Sequence, residues 1–190
     1  MNSIFRRVKK LLLRKWYNRR FKSCGHNFRW DPLTSFFAKP ECAEIGDNVF
    51  LGEGFHISVA ESLKIGDGVI VGPRLIIVGG DHDYSLVGKR LYEVKEGINL
   101  PVIIEKDVWI GASVIILKGV KIGEGAVVGA GSMVAKDIPP YSVAIGTPAR
   151  PVKKRFSDKE LSQHLEILKY NRKDIERLIS ARNQFFSNHE

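Results

Sequence analysis

The chain has 190 residues and a formal net charge of +9, a length that suits one domain with appendages. Its two cysteines, Cys24 and Cys42, give neither a disulfide framework nor a CxxC metal pattern, so a reducing, cytoplasmic setting is expected. The longest apolar run near the N-terminus, Leu11-Leu12-Leu13, is too short for a signal segment or a membrane span.

The charge is concentrated at the ends. Residues 1–30 carry ten Lys or Arg and no acid, whereas residues 31–150 carry eleven bases and fifteen acids. No aromatic-interleaved basic face or nucleic-acid motif accompanies the high pI, so a solvated arm is expected and nucleic acid is not a partner.

Taken in order, residues 1–44 read as a basic amphipathic helix followed by an N-terminal segment containing Trp30, Phe36 and Phe37. Ile4, Phe5, Val8, Leu11, Leu12 and Trp16 form one helical stripe, with Arg6, Arg7, Lys9, Lys10 and Arg14 mostly elsewhere. Two roles fit residues 1–22. The segment has the form of an interfacial helix on a membrane surface, or the stripe packs on the assembled protein and the cations are merely solvated.

A repeat then begins. Ile45-Gly46-Asp47-Asn48-Val49-Phe50 is followed by Leu51-Gly52-Glu53-Gly54-Phe55-His56, with Ile57 opening the next unit. After two extra residues come Ile65-Gly66-Asp67-Gly68-Val69-Ile70 and Val71-Gly72-Pro73-Arg74-Leu75-Ile76, and then Ile77. The phase resumes at Ile104, Ile110, Ile116, Ile122, Val128 and Val134. Six is neither a helical period nor simple strand alternation. It fits a short flat strand plus a corner, the aliphatic residue pointing inward and glycine easing the turn. Three such strands close one coil, and stacked coils bury an aliphatic column that no single coil could bury. The repeat is expected to run from 45 to 139, ended by Pro139-Pro140, within a domain spanning 45–152.

This pattern resembles the hexapeptide-repeat acyltransferases. The resemblance implies a mainly β, left-handed parallel β-helix shaped as a triangular prism, with α-helices at both ends, and a homotrimer. Its nearest likeness is to the maltose- and galactoside-type O-acetyltransferases and the polysaccharide O-acetyltransferases.

A stack of flat coils has no cleft of its own, so the interruption between Ile77 and Ile104, residues 79–102, is the expected site. His82 falls at the root of that loop. Moving an acyl group from a thioester to an alcohol requires removal of the hydroxyl proton, and an imidazole of ordinary pKa, about 6.5, suits that task at neutral pH. In the family a histidine at this root is the catalytic base, and IGDGVIVGPRLIIVGGDHDY matches that segment. Asp81, Asp83 or a backbone carbonyl are all candidates to orient the ring. Asp83, Tyr84 and Tyr92 on the same loop are expected to meet the acceptor. Neither cysteine lies near, so direct transfer in a ternary complex is simpler than a covalent intermediate.

Residues 108–152, VWIGASVIILKGVKIGEGAVVGAGSMVAKDIPPYSVAIGTPARPV, resemble the family's acyl-CoA-binding stretch. By that resemblance acetyl-CoA is the donor, Trp109 lines the site, and main-chain groups at Ala112 and Ala130 border the pantetheine arm. Lys136, Arg150 and Lys153 would meet the phosphates. The region Leu51-Gly52-Glu53-Gly54 departs from the sugar acetyltransferases in lacking their acceptor-binding asparagine.

The expected function is therefore transfer of an acetyl group to a sugar hydroxyl, in a cell-surface polysaccharide, lipopolysaccharide or a lipid-linked precursor. A xenobiotic O-acetyltransferase acting on an antibiotic is the alternative. Serine O-acetyltransferase and a non-catalytic scaffold fit less well. The repeats and loop hold His56 and His82 alone, one nitrogen short of the three-histidine zinc site of γ-type carbonic anhydrases, so no metal is expected. Finally, Ser157-Asp158-Lys159-Glu160 reads as a capping box opening a helical extension within 153–190, helical over 158–186 and broken near Asn171.

Overall fold

The computed structural model describes residues 3–95 and 97–187. Its body is a parallel β-solenoid whose strands form three faces. The first face stacks Ser23–Cys24, Ala43–Ile45, Leu63–Ile65, Val102–Ile104 and Lys121–Ile122. The second stacks Phe50–Leu51, Ile70–Val71, Trp109–Ile110, Val127–Val128 and Ser142–Gly146, with Ala149–Lys154 added antiparallel at its edge. The third stacks Phe36–Phe37, His56–Ser58, Ile76–Val78, Ile115–Leu117 and Met133–Val134. From Ala43–Ile45 to Met133–Val134, consecutive strands of the chain fall on consecutive faces, so each circuit makes one coil.

The phased residues point inward. Ile45, Leu51, Ile57, Ile65, Val71, Ile77, Ile104, Ile110, Ile116, Ile122, Val128 and Val134 are all buried. A second inward position lies four residues after the first, filled by Val49, Phe55, Val69, Leu75, Val108 and Val114, also buried. Each such side chain stabilises the stack by roughly 1.5–3 kcal/mol relative to exposure.

The glycines divide into two kinds, and this refines the reading that glycine eases the turn. The sharp left-handed residue of each unit is the fourth, Gly54, Gly68 and Gly119 but also Asn48, Arg74, Asp107 and Ser113, with φ between 56° and 75°. The glycine that recurs directly after the inward aliphatic residue has another cause. A Cβ on Gly66 would lie 2.6 Å from the Lys106 backbone nitrogen, so this glycine lets adjacent coils touch. Gly68, by contrast, has φ +68° and no atom within 4 Å of such a Cβ.

The parallel stack is longer than the repeat at both ends. Ser23–Cys24 pairs with the strand Ala43–Ile45, and Phe36–Phe37 pairs with His56–Ser58. This opening coil uses rings in place of aliphatic side chains. Phe21, Phe28, Trp30, Phe37 and Phe55 are buried together, with Phe21 to Phe37 at 5.0 Å and Trp30 to Phe55 at 5.5 Å between ring centroids. At the other end the Pro139-Pro140 pair does not stop the coil. Ile138 bridges to Ile122, and Ser142–Gly146 continues the second face beyond the prolines. The two prolines sit at a corner, where no ladder donor is required, and the antiparallel strand Ala149–Lys154 then covers the open edge.

Helix α1 (Ser3–Asn18) lies across the aromatic end. Trp30 Nε1 donates to Asn18 Oδ1 at 3.1 Å, Tyr17 packs edge-on to Trp30, and Lys10 pairs with Asp31 at 2.8 Å. Helices α2 (Asp158–Ile167) and α3 (Arg172–Ser187) form the C-terminal extension. The capping box at Ser157 and Glu160 is present, and the break occurs because Asn171 Oδ1 caps α3 through the Asp174 N–H at 2.9 Å. The pair docks on the prism through Tyr141, Leu161, Leu165, Ile175 and Leu178. Buried Glu124 accepts from the Tyr141 and Tyr170 hydroxyls at 3.2 and 2.7 Å. Burial, reinforced by the Glu124 carboxylate, raises the Tyr141 hydroxyl far above the ordinary phenol range, so it stays a donor.

The two kinds of glycine predict opposite tolerances. Gly66→Ala forces the Cβ against backbone and should cost more than about 2 kcal/mol. Gly68→Ala should cost only about 1–2 kcal/mol, and Gly68→Asn less, because Asn48 already holds that conformation. Denaturant midpoints of the three variants at one protein concentration check the order.

Candidate functional site

On the third face the strand Ile76–Val78 ends at Val78, and the inserted loop leaves from there. The ladder is kept one residue further by the Gly79 N–H to Ser58 carbonyl bond at 2.6 Å. The two limbs of the loop then close on each other, the Gly97 N–H donating to the Asp81 carbonyl at 2.8 Å. Lys118, on the corner of the adjacent coil, staples both limbs. Its Nζ reaches Asp81 Oδ1 at 2.6 Å and the Ile98 carbonyl at 2.5 Å.

His82 sits on this closed root with its ring toward the loop. Nδ1 lies 3.3 Å from the Val94 carbonyl oxygen. A carbonyl can only accept, so Nδ1 is the donor of this contact, and in the neutral ring the lone pair is on Nε2. Of the candidates to orient the ring, the backbone carbonyl is the one in contact. Val94 is itself buried although most of the described loop residues around it are exposed, which fixes the position of that carbonyl. Asp81 is engaged by Lys118. Asp83 accepts from the Ser85 N–H at 2.9 Å and the Ser85 hydroxyl at 2.5 Å, and these bonds hold its carboxyl below the usual carboxylate range. Its carboxylate therefore builds the turn after His82.

A hollow of ≈ 360 Å³ opens beside the imidazole, lined by Asp81, His82, Asp83, Tyr84, Gly97 and Lys118 among others. Tyr84 is 85% exposed on its rim. Tyr92 is also exposed, near Arg90 and away from this lining.

The second group of expected residues lies elsewhere. Trp109 is on the second face, directly between Ile70 and Val127 in register, and is 57% exposed. Ala112 and Ala130 follow at the corner between the second and third faces. There the Gly131 N–H donates to the Ala112 carbonyl at 2.9 Å, and a Cβ on Gly72 would lie 2.7 Å from the Ala112 nitrogen. The corner is thus closely stacked and carries small side chains at Ala112 and Ala130, with Arg74 Nε donating to the Ser113 hydroxyl at 3.0 Å beside them. Arg150 is paired in register with Ile145, near this corner, and Lys153 with Val143, further along the covering strand. Lys136 follows Met133–Val134 and so belongs to the opposite edge of the third face, the edge that carries the His82 loop.

The expected residues therefore divide between the two edges of one face, and a single chain does not bring them together. The outward side chains of the faces differ as well. On the first face they are Ser23, Glu44, Lys64, Ile103 and Lys121. On the second they are Phe50, Ile70, Trp109 and Val127, and on the third Phe36, His56, Ile76, Ile115 and Met133. Two faces thus carry apolar stripes and one is polar. Among the described residues, no group of three or more His, Cys, Asp or Glu side chains gathers as metal ligands would.

Lys118 and Val94 were not foreseen from sequence. The repeat phase offered a signal for Lys118, since aligning Ile77 with Ile116 places Lys118 beside the loop root. For Val94 there was no such signal, because it is one of several aliphatic residues in the loop and sequence alone cannot tell which of them is buried.

Residues 101–136 match the family model described as bacterial transferase hexapeptide (six repeats). A galactoside O-acetyltransferase of Lactococcus lactis is 38% identical over 125 residues, 63% of this chain and 58% of that protein. A chloramphenicol acetyltransferase of Morganella morganii is 50% identical over 68 residues, 36% of this chain and 32% of that one. The crystal structure of a hexapeptide-repeat acetyltransferase from Vibrio cholerae, complexed with acetyl coenzyme A, superposes with a TM-score of 0.69 at 30% identity, covering 77% of this chain and 78% of that one. The chain belongs to the hexapeptide-repeat acyltransferase family. It spans 58% of the Lactococcus enzyme and about a third of the Morganella enzyme.

If Lys118 is what closes the loop root, Lys118→Met should leave the thermal midpoint within a few degrees while raising amide exchange across residues 79–100 by at least about ten-fold. Unchanged protection in that loop would show that the staple is dispensable.

Proposed function

We propose that the protein is an acetyl-CoA-dependent O-acetyltransferase acting on a sugar hydroxyl, with His82 as general base. The observation that carries this reading is the contact between His82 Nδ1 and the Val94 carbonyl. With Nδ1–H held by Val94, Nε2 is free to take the acceptor's hydroxyl proton as that oxygen attacks the thioester carbonyl. A tetrahedral oxyanion forms, the carbon–sulfur bond breaks, and the imidazolium returns its proton to the leaving thiolate. Acetyl-CoA as donor is supported by the Vibrio structure and by a galactoside acetyltransferase structure in complex with coenzyme A, 32% identical with a TM-score of 0.68. The pantetheine arm would lie along the corner at Ala112 and Ala130 beside Trp109, with Arg150 and Lys153 toward the phosphates. Lys136 would serve the donor or acceptor from the edge that carries the loop. Tyr84 and Tyr92 remain the loop's candidates for the acceptor, and Asp83 contributes by holding the turn.

The working unit in this reading is a homotrimer. His82 and Trp109 are separated by about one face, on the order of 15–20 Å at roughly 3.3 Å per residue, so a second copy must supply one half of each site. The apolar stripes on two of three faces support the same arrangement. A cell-surface glycan or its lipid-linked precursor is the proposed acceptor class, and a cytoplasmic setting fits both the donor and the free thiols Cys24 and Cys42. The likeness to the chloramphenicol acetyltransferase supports a second reading, acetylation of an antibiotic hydroxyl. Turnover with a panel of oligosaccharides and nucleotide sugars, against chloramphenicol-type alcohols, decides between them.

His82→Ala should lower kcat by at least the general-base factor of roughly 10²–10⁴, with KM for acetyl-CoA little changed. Arg150→Ala should do the reverse, raising KM with a smaller effect on kcat. Near-normal turnover of the His82 variant with a verified acceptor would refute the mechanism.

The shared site has its own test. Trp109→Ala and His82→Ala proteins, each impaired alone, should regain activity when unfolded and refolded together, because mixed trimers contain some sites with both residues intact. Absence of any recovery, with mixed trimers confirmed by mass, would place both residues in one subunit's site.

A further inference from the structure

Helix α1 has two opposed faces, and the protein uses one of them. Lys10, Leu13, Arg14 and Tyr17 recur at helical spacing and are half-buried against the body, where Lys10 meets Asp31 and Tyr17 meets Trp30. Ile4, Phe5, Val8, Leu11, Leu12 and Trp16 form the other face, 49–68% exposed. At 3.6 residues per turn the centres of these two sets point in nearly opposite directions. The apolar stripe therefore turns directly away from the prism, and packing on its own subunit does not account for it.

Charge decides what can cover the stripe. The helix carries six cations and no acid, and Arg19, Arg20 and Lys22 follow at once. Lys9 borders the stripe and Lys15 stands within its arc, its long stem able to carry the ammonium out to the headgroups, and both are exposed. A second α1 laid stripe to stripe would bring two sets of like charges together, whereas an anionic surface would neutralise them. A tryptophan at the boundary of such a stripe, here Trp16 with the Arg20 guanidinium 5.2 Å over its ring, is suited to the headgroup level of a bilayer.

We propose that α1 is a docking surface for an anionic lipid bilayer, lying in the interface plane with its apolar stripe inserted and its cations among the headgroups. Among the described residues no helix is long and apolar enough to cross a membrane, so the contact is peripheral. Because α1 covers the end of the prism, docking leaves the lateral faces, with Trp109 and the His82 loop, open to substrates. The bilayer would set where the protein works without touching the chemistry.

The test uses the full chain and vesicles of phosphatidylcholine, alone or mixed with phosphatidylglycerol, with bound protein read by co-sedimentation. Binding should be at least ten-fold tighter to the anionic vesicles and should fall as salt is added. Lys9→Gln with Lys15→Gln should weaken it by about five-fold per cation, roughly 25-fold for the pair. Leu11→Gln with Leu12→Gln should abolish it. Both variants should keep the thermal midpoint and the assembly mass, since these side chains point away from the body. Equal binding to neutral and anionic vesicles would overturn the proposal, as would full binding by the leucine variant. A fall in assembly mass for that variant, with no vesicle binding by the parent protein, would assign the stripe to a second copy.

Discussion

Every coil of this prism must lie flat on the next at the spacing of a parallel ladder, roughly 4.8 Å, and this requirement governs the rest of the molecule. Backbones that approach so closely at the corners leave no room for a Cβ at Gly66 or Gly72. The same close approach recurs at the corner of Ala112 and Ala130, where a Cβ on Gly111 would meet the Ala130 backbone. The aliphatic column supplies the driving force, but the flat stacking decides which residues can stand at each corner. A site on such a surface has to be built outward, either by an insertion or by another copy of the chain.

The insertion at residues 79–101 meets that need by importing order from the prism. Lys118 belongs to the stacked coil, and its ammonium group ties Asp81 and Ile98 together. Val94 is buried, and its carbonyl holds His82 Nδ1. A loop with so many exposed apolar and aromatic side chains, Tyr84, Leu86, Val87 and Leu91 among them, has little core of its own. The order at His82 comes from a few polar contacts at the root. The free rim, by contrast, is available to meet an acceptor or a neighbouring subunit.

The two ends of the prism solve the problem of an open stack differently. At the start, aromatic rings fill the wide opening and α1 lies over them, leaving its apolar stripe outward. At the finish, a corner containing two prolines leads into an antiparallel strand, and α2 and α3 pack beneath it. There, buried Glu124 gathers the Tyr141 and Tyr170 hydroxyls, and Arg182, fully buried, pairs with Asp158 at 2.6 Å. Polar groups so placed are costly unless bonded; the Tyr170–Glu124 bond ties the helical pair to the body, and Arg182 ties α3 to α2 and to the Phe156 carbonyl.

The period of six, the inward aliphatic residues and the position of the insertion were legible in the sequence, because each depends on local spacing alone. The break at Asn171 and the capping box at Ser157 were legible for the same reason, being contacts across three residues. What only the tertiary structure decided are relations between distant coils. The phase of the repeat could not say that Phe21 to Phe37 already forms a coil, since rings replace the aliphatic pattern there. It could not distinguish a glycine needed for φ from one needed for close stacking, because that depends on the coil above. Nor could it choose among Asp81, Asp83 and a carbonyl as the partner of His82. That choice rests on how a loop closes over twelve residues and on Lys118, thirty-six residues away in the chain and adjacent only because coils stack.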